Sequence, residues 1–117
     1  MKGLRGERLA SQFREEIYKV ISGKLRNRYS SLSAIISVTQ ADVAPDLKTA
    51  KIYISIYDPD EARKDASFDI LKQNAGFIRY ELSQVLHLRT VPELTFILDE
   101  SMEYGAKIEK IIEELES

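Results

Sequence analysis

The chain has 117 residues, 44% of them hydrophobic and 31% charged, with a formal net charge of −2. That length is one ordinary domain with a core of its own, and residues 1–117 read as a single domain. With no cysteine and one histidine, His87, the chain has no disulfides, no thiolate chemistry and no histidine-built metal cage within a single copy.

The mild acidity hides an uneven distribution. Residues 1–28 carry eight bases against three acids, residues 29–92 seven against eight, and residues 93–117 two against eight, giving +5, −1 and −6. Such asymmetry fits one end that faces a polyanion and another that repels it. Solvated helix faces with no ligand account for it equally well. The opening MKGLRGERLASQF has no apolar h-region and no small-residue cleavage site, so it is not read as a signal peptide. No apolar run approaches the roughly 18–20 residues of a membrane helix. A cytoplasmic protein is expected.

In chain order, residues from about 7 to 28 carry a helical period, with Leu9, Phe13, Ile17, Val20, Ile21 and Leu25 on one face. At about 100° per residue, Arg8, Lys19 and Arg26 fall in a narrow opposite sector with Arg5 near it, a basic ridge facing solvent. The polar stretch 27–33, NRYSSLS, reads as a loop. Residues 34–43 are rich in β-branched side chains and read as a strand. Ala44-Pro45-Asp46 is a turn signal, and residues 48–57 then alternate. Ala50, Ile52, Ile54 and Ile56 share one face, and Lys51, Tyr53, Ser55 and Tyr57 the other. The short connection predicts an antiparallel hairpin. The tyrosine face fits the wet side of a half-buried sheet better than a base-stacking platform.

The acids from Asp58 onward resemble a calcium loop only superficially. Ala62 and Arg63 stand where a ligand and a glycine are needed. They read instead as loop solvation and helix N-terminal charge. A helix follows over about 65–74, then a break at Gly76, then a helix to about Leu88 with Ile78, Leu82, Val85 and Leu86 buried. Gly76 marks a kink or short turn, either a plain cap or a backbone that lets a ligand approach closely. His87, near the helix end, reads as a surface residue. Val91-Pro92 stops the helix, residues 93–99 form a strand, Ser101 is a candidate N-cap, and a last helix spans about 102–116. The expected fold is α+β, in the order α-β-β-α-kink-α-β-α, with a three-stranded sheet covered by helices on one face.

No Walker loop, dinucleotide glycine fingerprint or nucleophile elbow is present. The G-x-x-G at Gly3–Gly6 lies at the extreme N-terminus, away from any helix–helix junction, and is read as coincidence. Nothing in the sequence indicates an enzyme or a cofactor.

Helix–strand–strand–helix–helix–strand is the order of a type II KH fold, but the junction reads Asn74-Ala75-Gly76, without the G-x-x-G of such domains. Residues 76–101 carry Gly76, Ile78, Arg79, then Leu88, Arg89, Pro92, Glu93, Leu94 and Phe96, then Asp99 and Ser101. Arg5, Arg8, Asp46-Leu47, Ala50-Lys51 and Ile52-Tyr53 add weaker matches. In these positions the chain resembles the ribosome-binding factor A family, whose usual Ala-x-Gly kink has Asn74 in place of the alanine here. The resemblance implies a monomeric, non-catalytic assembly factor that binds free 30S subunits during late maturation. It implies contact with 16S rRNA near its 5′-terminal helix and the decoding region, support for 5′-end processing, and support for growth in the cold. Other small-subunit assembly factors are possible partners.

The candidate RNA-binding residues are Arg5, Arg8, Lys19, Arg26, Arg79 and Arg89, then Lys24, Arg28 and Lys72, with the backbone at Asn74, Ala75 and Gly76. They are expected to lie on one side of the molecule. The double change Arg8→Glu with Arg26→Glu is expected to leave folding intact. Competing readings are a general KH-like RNA-binding module and a protein–protein interaction domain using the acidic C-terminal helix or the Tyr53/Tyr57 face.

Overall fold

A computed structural model describes residues 2–33 and 35–101, the first five of them as backbone only. The last helix expected from the sequence lies outside the described residues.

Helix α1 spans Lys2–Val20, passes through a π-helical turn at Ile21–Leu25, and continues as a short α2 at Arg26–Arg28. The π turn has a cause in the sequence. Phe13, Ile17, Ile21 and Leu25 are all fully buried and spaced by four. In a regular α-helix each step of four overshoots a full turn by about 40°, so three steps drift by about 120°. Widening the last turn keeps Leu25 over the core, and the Arg26 N–H accordingly bonds the Ile21 carbonyl.

Strands β1 (Ile35–Val43) and β2 (Thr49–Tyr57) form the expected antiparallel hairpin. A bulge at Thr39 interrupts β1, because Val38 pairs with Ile54 while Gln40 pairs with Tyr53. The extra residue switches the inward set from Ile36 and Val38 to Ala41 and Val43. The turn uses Leu47 at φ 59°, with the Asp46 carboxylate accepting the Lys48 N–H at 3.0 Å.

Asp60 caps α3 (Glu61–Gln73), accepting the N–H groups of Ala62 and Arg63. That cap starts the helix about one turn earlier than its apolar period alone indicates. Helix α4 spans Ala75–Leu86 and ends at His87, which takes the left-handed conformation with φ 51° that glycine usually supplies. The helix therefore stops two residues short of the expected Leu88. Val85, expected inside, is 48% exposed. Strand β3 (Glu93–Leu98) then pairs parallel to β2, so the sheet is mixed, in the order β1-β2-β3. The two helices between β2 and β3 supply the crossover a parallel pair requires.

The core is one cluster between the sheet and the helices. Ile36, Ile52, Ile54, Ile56, Leu94 and Phe96 face Phe13, Ile17, Ile21, Leu25, Leu71, Ile78 and Leu82. Each such side chain, fully buried, contributes about 1.5–3 kcal/mol. The outer sheet face is left to Lys51, Tyr53, Ser55 and Tyr57, the wet side expected. Within the polar stretch 27–33, Leu32 and Ser33 are buried. The Ser33 N–H donates to Ser67 Oγ at 2.9 Å and its hydroxyl donates to the Tyr57 carbonyl at 3.0 Å. Those bonds tie the connection to both α3 and the end of β2.

Candidate nucleic-acid interface

The end of the first helix runs antiparallel to α4, and two rungs join them. Lys24 Nζ donates to the Glu81 carboxylate at 2.9 and 3.0 Å. Four residues on, the Arg28 guanidinium lies 4.7 Å from the centroid of the Phe77 ring, four residues back along α4. The two pairs match because both helices repeat every three to four residues. They bring Arg28 beside the α3–α4 junction, where the sequence placed Gly76, and hold Lys24 against the middle of α4.

At that junction the chain turns on Asn74, not on the glycine. Asn74 takes φ −105° and ψ 17°, its N–H is bonded to Ile70 and Leu71 carbonyls, and its side-chain amide donates to the Ile70 carbonyl at 2.8 Å. The residue is only 8% exposed, so its side chain is spent inside the fold. Gly76 sits exposed in the first turn of α4, and a Cβ added there would meet nothing within 4 Å. No neighbour among the described residues demands glycine, although glycine costs a helix about 1 kcal/mol relative to alanine. Behind the junction, Lys72, Ala75, Leu94, Thr95 and Phe96 line a groove of about 210 Å³ between it and β3. Lys72 there pairs with Asp69 at 3.3 Å and lies 4.9 Å from the Phe68 ring centroid.

The remaining candidates separate. Arg26 is a correction to the expected ridge: past the π turn it is half-buried, and its Nη2 donates to the Ser33 carbonyl at 2.9 Å. The widened turn shifts the helical phase that had placed it outside. Arg79 is also drawn inward, donating to the Val91 carbonyl at 2.8 Å and tying α4 to the approach to β3. Lys19 is exposed but held by Glu16 at 3.3 Å and Glu15 at 3.6 Å. Its hydrogen bond and charge interaction with Glu16, then the charge of Glu15, raise its pKa. Arg8 and Arg89 are exposed. Arg8 stands about 30 Å along the helix from Arg28 at 1.5 Å per residue. Arg89 follows the far end of α4 from Gly76. The side chain of Arg5 lies outside the described residues. The candidates whose side chains are described thus do not form one patch. Arg28, Lys72, Ala75 and Gly76 lie at or beside the junction, Lys24 is paired with Glu81 in the middle of α4, and Arg8 and Arg89 lie toward the other end.

Sequence reasoning missed Phe77 and Tyr80. Tyr80 is 61% exposed on α4. Its spacing of four from Gly76, on the side of α4 away from Ile78 and Leu82, was the available signal.

Among the described residues, no helix is long and apolar enough to cross a membrane, and no cluster of three His, Cys, Asp or Glu side chains is placed to hold a metal.

These features define an α+β domain of KH-like order whose central helix–helix junction lacks a G-x-x-G loop and stands open beside a cationic helix end. The sequence model of the family described as Ribosome-binding factor A matches residues 5–112. The chain is 40% identical over 111 residues to ribosome-binding factor A of Caldanaerobacter subterraneus subsp. tengcongensis, covering 95% of this chain and 88% of that protein. It is 38% identical over 115 residues to that of Clostridium botulinum strain Eklund 17B, covering 98% and 97%. The crystal structure of ribosome-binding factor A from Thermus thermophilus superposes with a TM-score of 0.63 at 13% identity, over 80% of this chain and 93% of that one. The chain belongs to the ribosome-binding factor A family.

Proposed function

We infer that the protein binds the free small ribosomal subunit through 16S rRNA and assists its late maturation, including 5′-end processing, in the cytoplasm and without catalysis. Family membership supports the partner. A homology model of the Thermus thermophilus ribosome-binding factor A, similar to this chain with a TM-score of 0.52 at 14% identity over 69% of this chain and 89% of that one, has been fitted into a cryo-EM map of a 30S complex of that protein.

The observation that carries the mechanism is Gly76. An exposed helical glycine with no internal steric reason is explained by close approach of something from outside. Arg28 and Lys72 flank it on the two sides of the junction. Arg8 and Arg89, free of partners among the described residues, would add phosphate contacts further along. Such contacts position a protein on RNA and carry little sequence information, so selectivity falls to RNA shape at the junction.

The test is sedimentation with purified subunits. The protein is expected to travel with free 30S particles and only weakly with whole ribosomes. Log affinity is expected to fall with log salt by about 0.7–0.9 per phosphate contacted. A flat salt response would remove the phosphate contacts from the mechanism. Equal partitioning onto unrelated RNAs would replace the subunit with a general RNA target.

A further inference from the structure

The Arg28–Phe77 pair offers more than a phosphate needs. A phosphate takes a guanidinium edge-on, through its forked N–H donors, and asks for no ring against the guanidinium face. Here the guanidinium lies over a ring, 4.7 Å from its centroid, so its face is part of the arrangement as well as its edge. Phe77 is half-buried against the core, and Arg28 closes the last turn of the first helix, so two separate elements fix the stack. Arg28 is nevertheless exposed, which leaves the guanidinium accessible beyond the ring.

Three neighbouring facts fit the same purpose. Gly76, next to Phe77, leaves room for a backbone to pass. Tyr80, one turn on from Gly76, carries a ring that is 61% exposed and a hydroxyl with no hydrogen bond among the described residues. The acid beside them, Glu81, is paired with Lys24 at 2.9 Å, so it does not repel an approaching polyanion. Planar cations and exposed rings side by side are the surfaces on which unpaired RNA bases stack, while helical RNA offers no free base face.

We propose that Arg28, Phe77 and Tyr80 form a stacking site for an unpaired RNA base, with the strand's backbone crossing at Gly76. The site deepens the reading of the junction given above and rests on it. It names single-stranded RNA as the element taken there and a base, besides phosphate, as the group held.

The test uses the full chain and a short single-stranded oligoribonucleotide carrying one 2-aminopurine, whose fluorescence falls on stacking. The wild type is expected to bind and quench the probe. Arg28→Lys keeps the charge and loses the plane, and is expected to bind roughly tenfold more weakly and to lose most of the quench. Phe77→Leu keeps an apolar filler and removes the ring, and is expected to behave alike, with circular dichroism confirming its fold. Arg28→Lys binding and quenching as the wild type does would overturn the stack. So would wild-type binding without quench, or no binding at low salt. Sedimentation with 30S particles is run in parallel. A protein that still travels with the subunit while failing the probe loses the stacking site and keeps the proposed function.

Discussion

Arg26 and Arg28 stand two residues apart in the last turn of the first helix, and the fold treats them in opposite ways. Arg26 turns inward, half-buried, and holds the Ser33 carbonyl at 2.9 Å. Through Ser33 it joins a network that reaches Ser67 on α3 and the end of β2. Arg28 turns outward over Phe77 and stays exposed. Charge counted along a helix therefore does not measure charge offered to a ligand. What decides is the phase of the turn, and the phase here is set by a π turn demanded by the spacing of Phe13, Ile17, Ile21 and Leu25.

The strongest way to break that contrast is to reverse each charge. Arg26→Glu sets a carboxylate against a buried carbonyl and removes a charged donor. It is expected to cost about 2–3 kcal/mol in urea unfolding. Arg28→Glu removes an exposed cation–π contact and is expected to cost less than about 1 kcal/mol, while weakening 30S sedimentation. If Arg26→Glu proves as stable as Arg28→Glu, the inward assignment of Arg26 is wrong. The expectation from the sequence, that Arg26 can be reversed without harm to the fold, would then stand.

The junction invites a smaller and opposite effect. Since a Cβ at Gly76 meets nothing within 4 Å and its φ is not positive, Gly76→Ala is expected to raise stability by about 0.5–1 kcal/mol. The same change is expected to weaken 30S binding severalfold. A variant that gains stability and binds as well as the wild type would mean that the glycine serves no approaching backbone.

Much of the fold was legible because its apolar periods are clean. The alternation of Ala50, Ile52, Ile54 and Ile56 marks β2 and its inner face without ambiguity. The Ile78–Leu82 stripe marks α4 as well, but not its end or the outward turn of Val85. The bulge at Thr39 was not legible, since a single extra residue in a β-branched run leaves no composition signal. The π turn was not legible either, although the fours in Phe13–Leu25 are its cause. At the site, Gly76 stands out in the sequence as it does in the structure. Asn74 and Arg79 were not recognised as internal, because their partners are backbone carbonyls, which a sequence never displays. Leu32 and Ser33 were hidden inside a stretch whose average is polar.

The smallest expected effect concerns the strap across the sheet end. Asp99 accepts the Thr39 hydroxyl at 2.7 Å and both the N–H and the hydroxyl of Ser101, at 3.0 and 2.7 Å. The Asp99 N–H also donates to the Ile54 carbonyl at 2.7 Å, so β3 ends by gripping both the bulge and the central strand. The Thr39 bond first, then those from Ser101, hold its carboxyl below the ordinary value of 3.8. A carboxylate with a lowered folded pKa adds stability that is complete above its unfolded pKa and is lost as pH falls through the folded value. The group lies near the surface, so solvent screening keeps the effect small. Asp99→Asn removes the charge, and the difference in urea midpoint between wild type and variant is expected to be constant above about pH 5 and to shrink below about pH 4. A difference that stays constant down to about pH 2.5 would show that Asp99 holds the bulge by shape alone. The charge would then have no part in joining β1 to the end of β3.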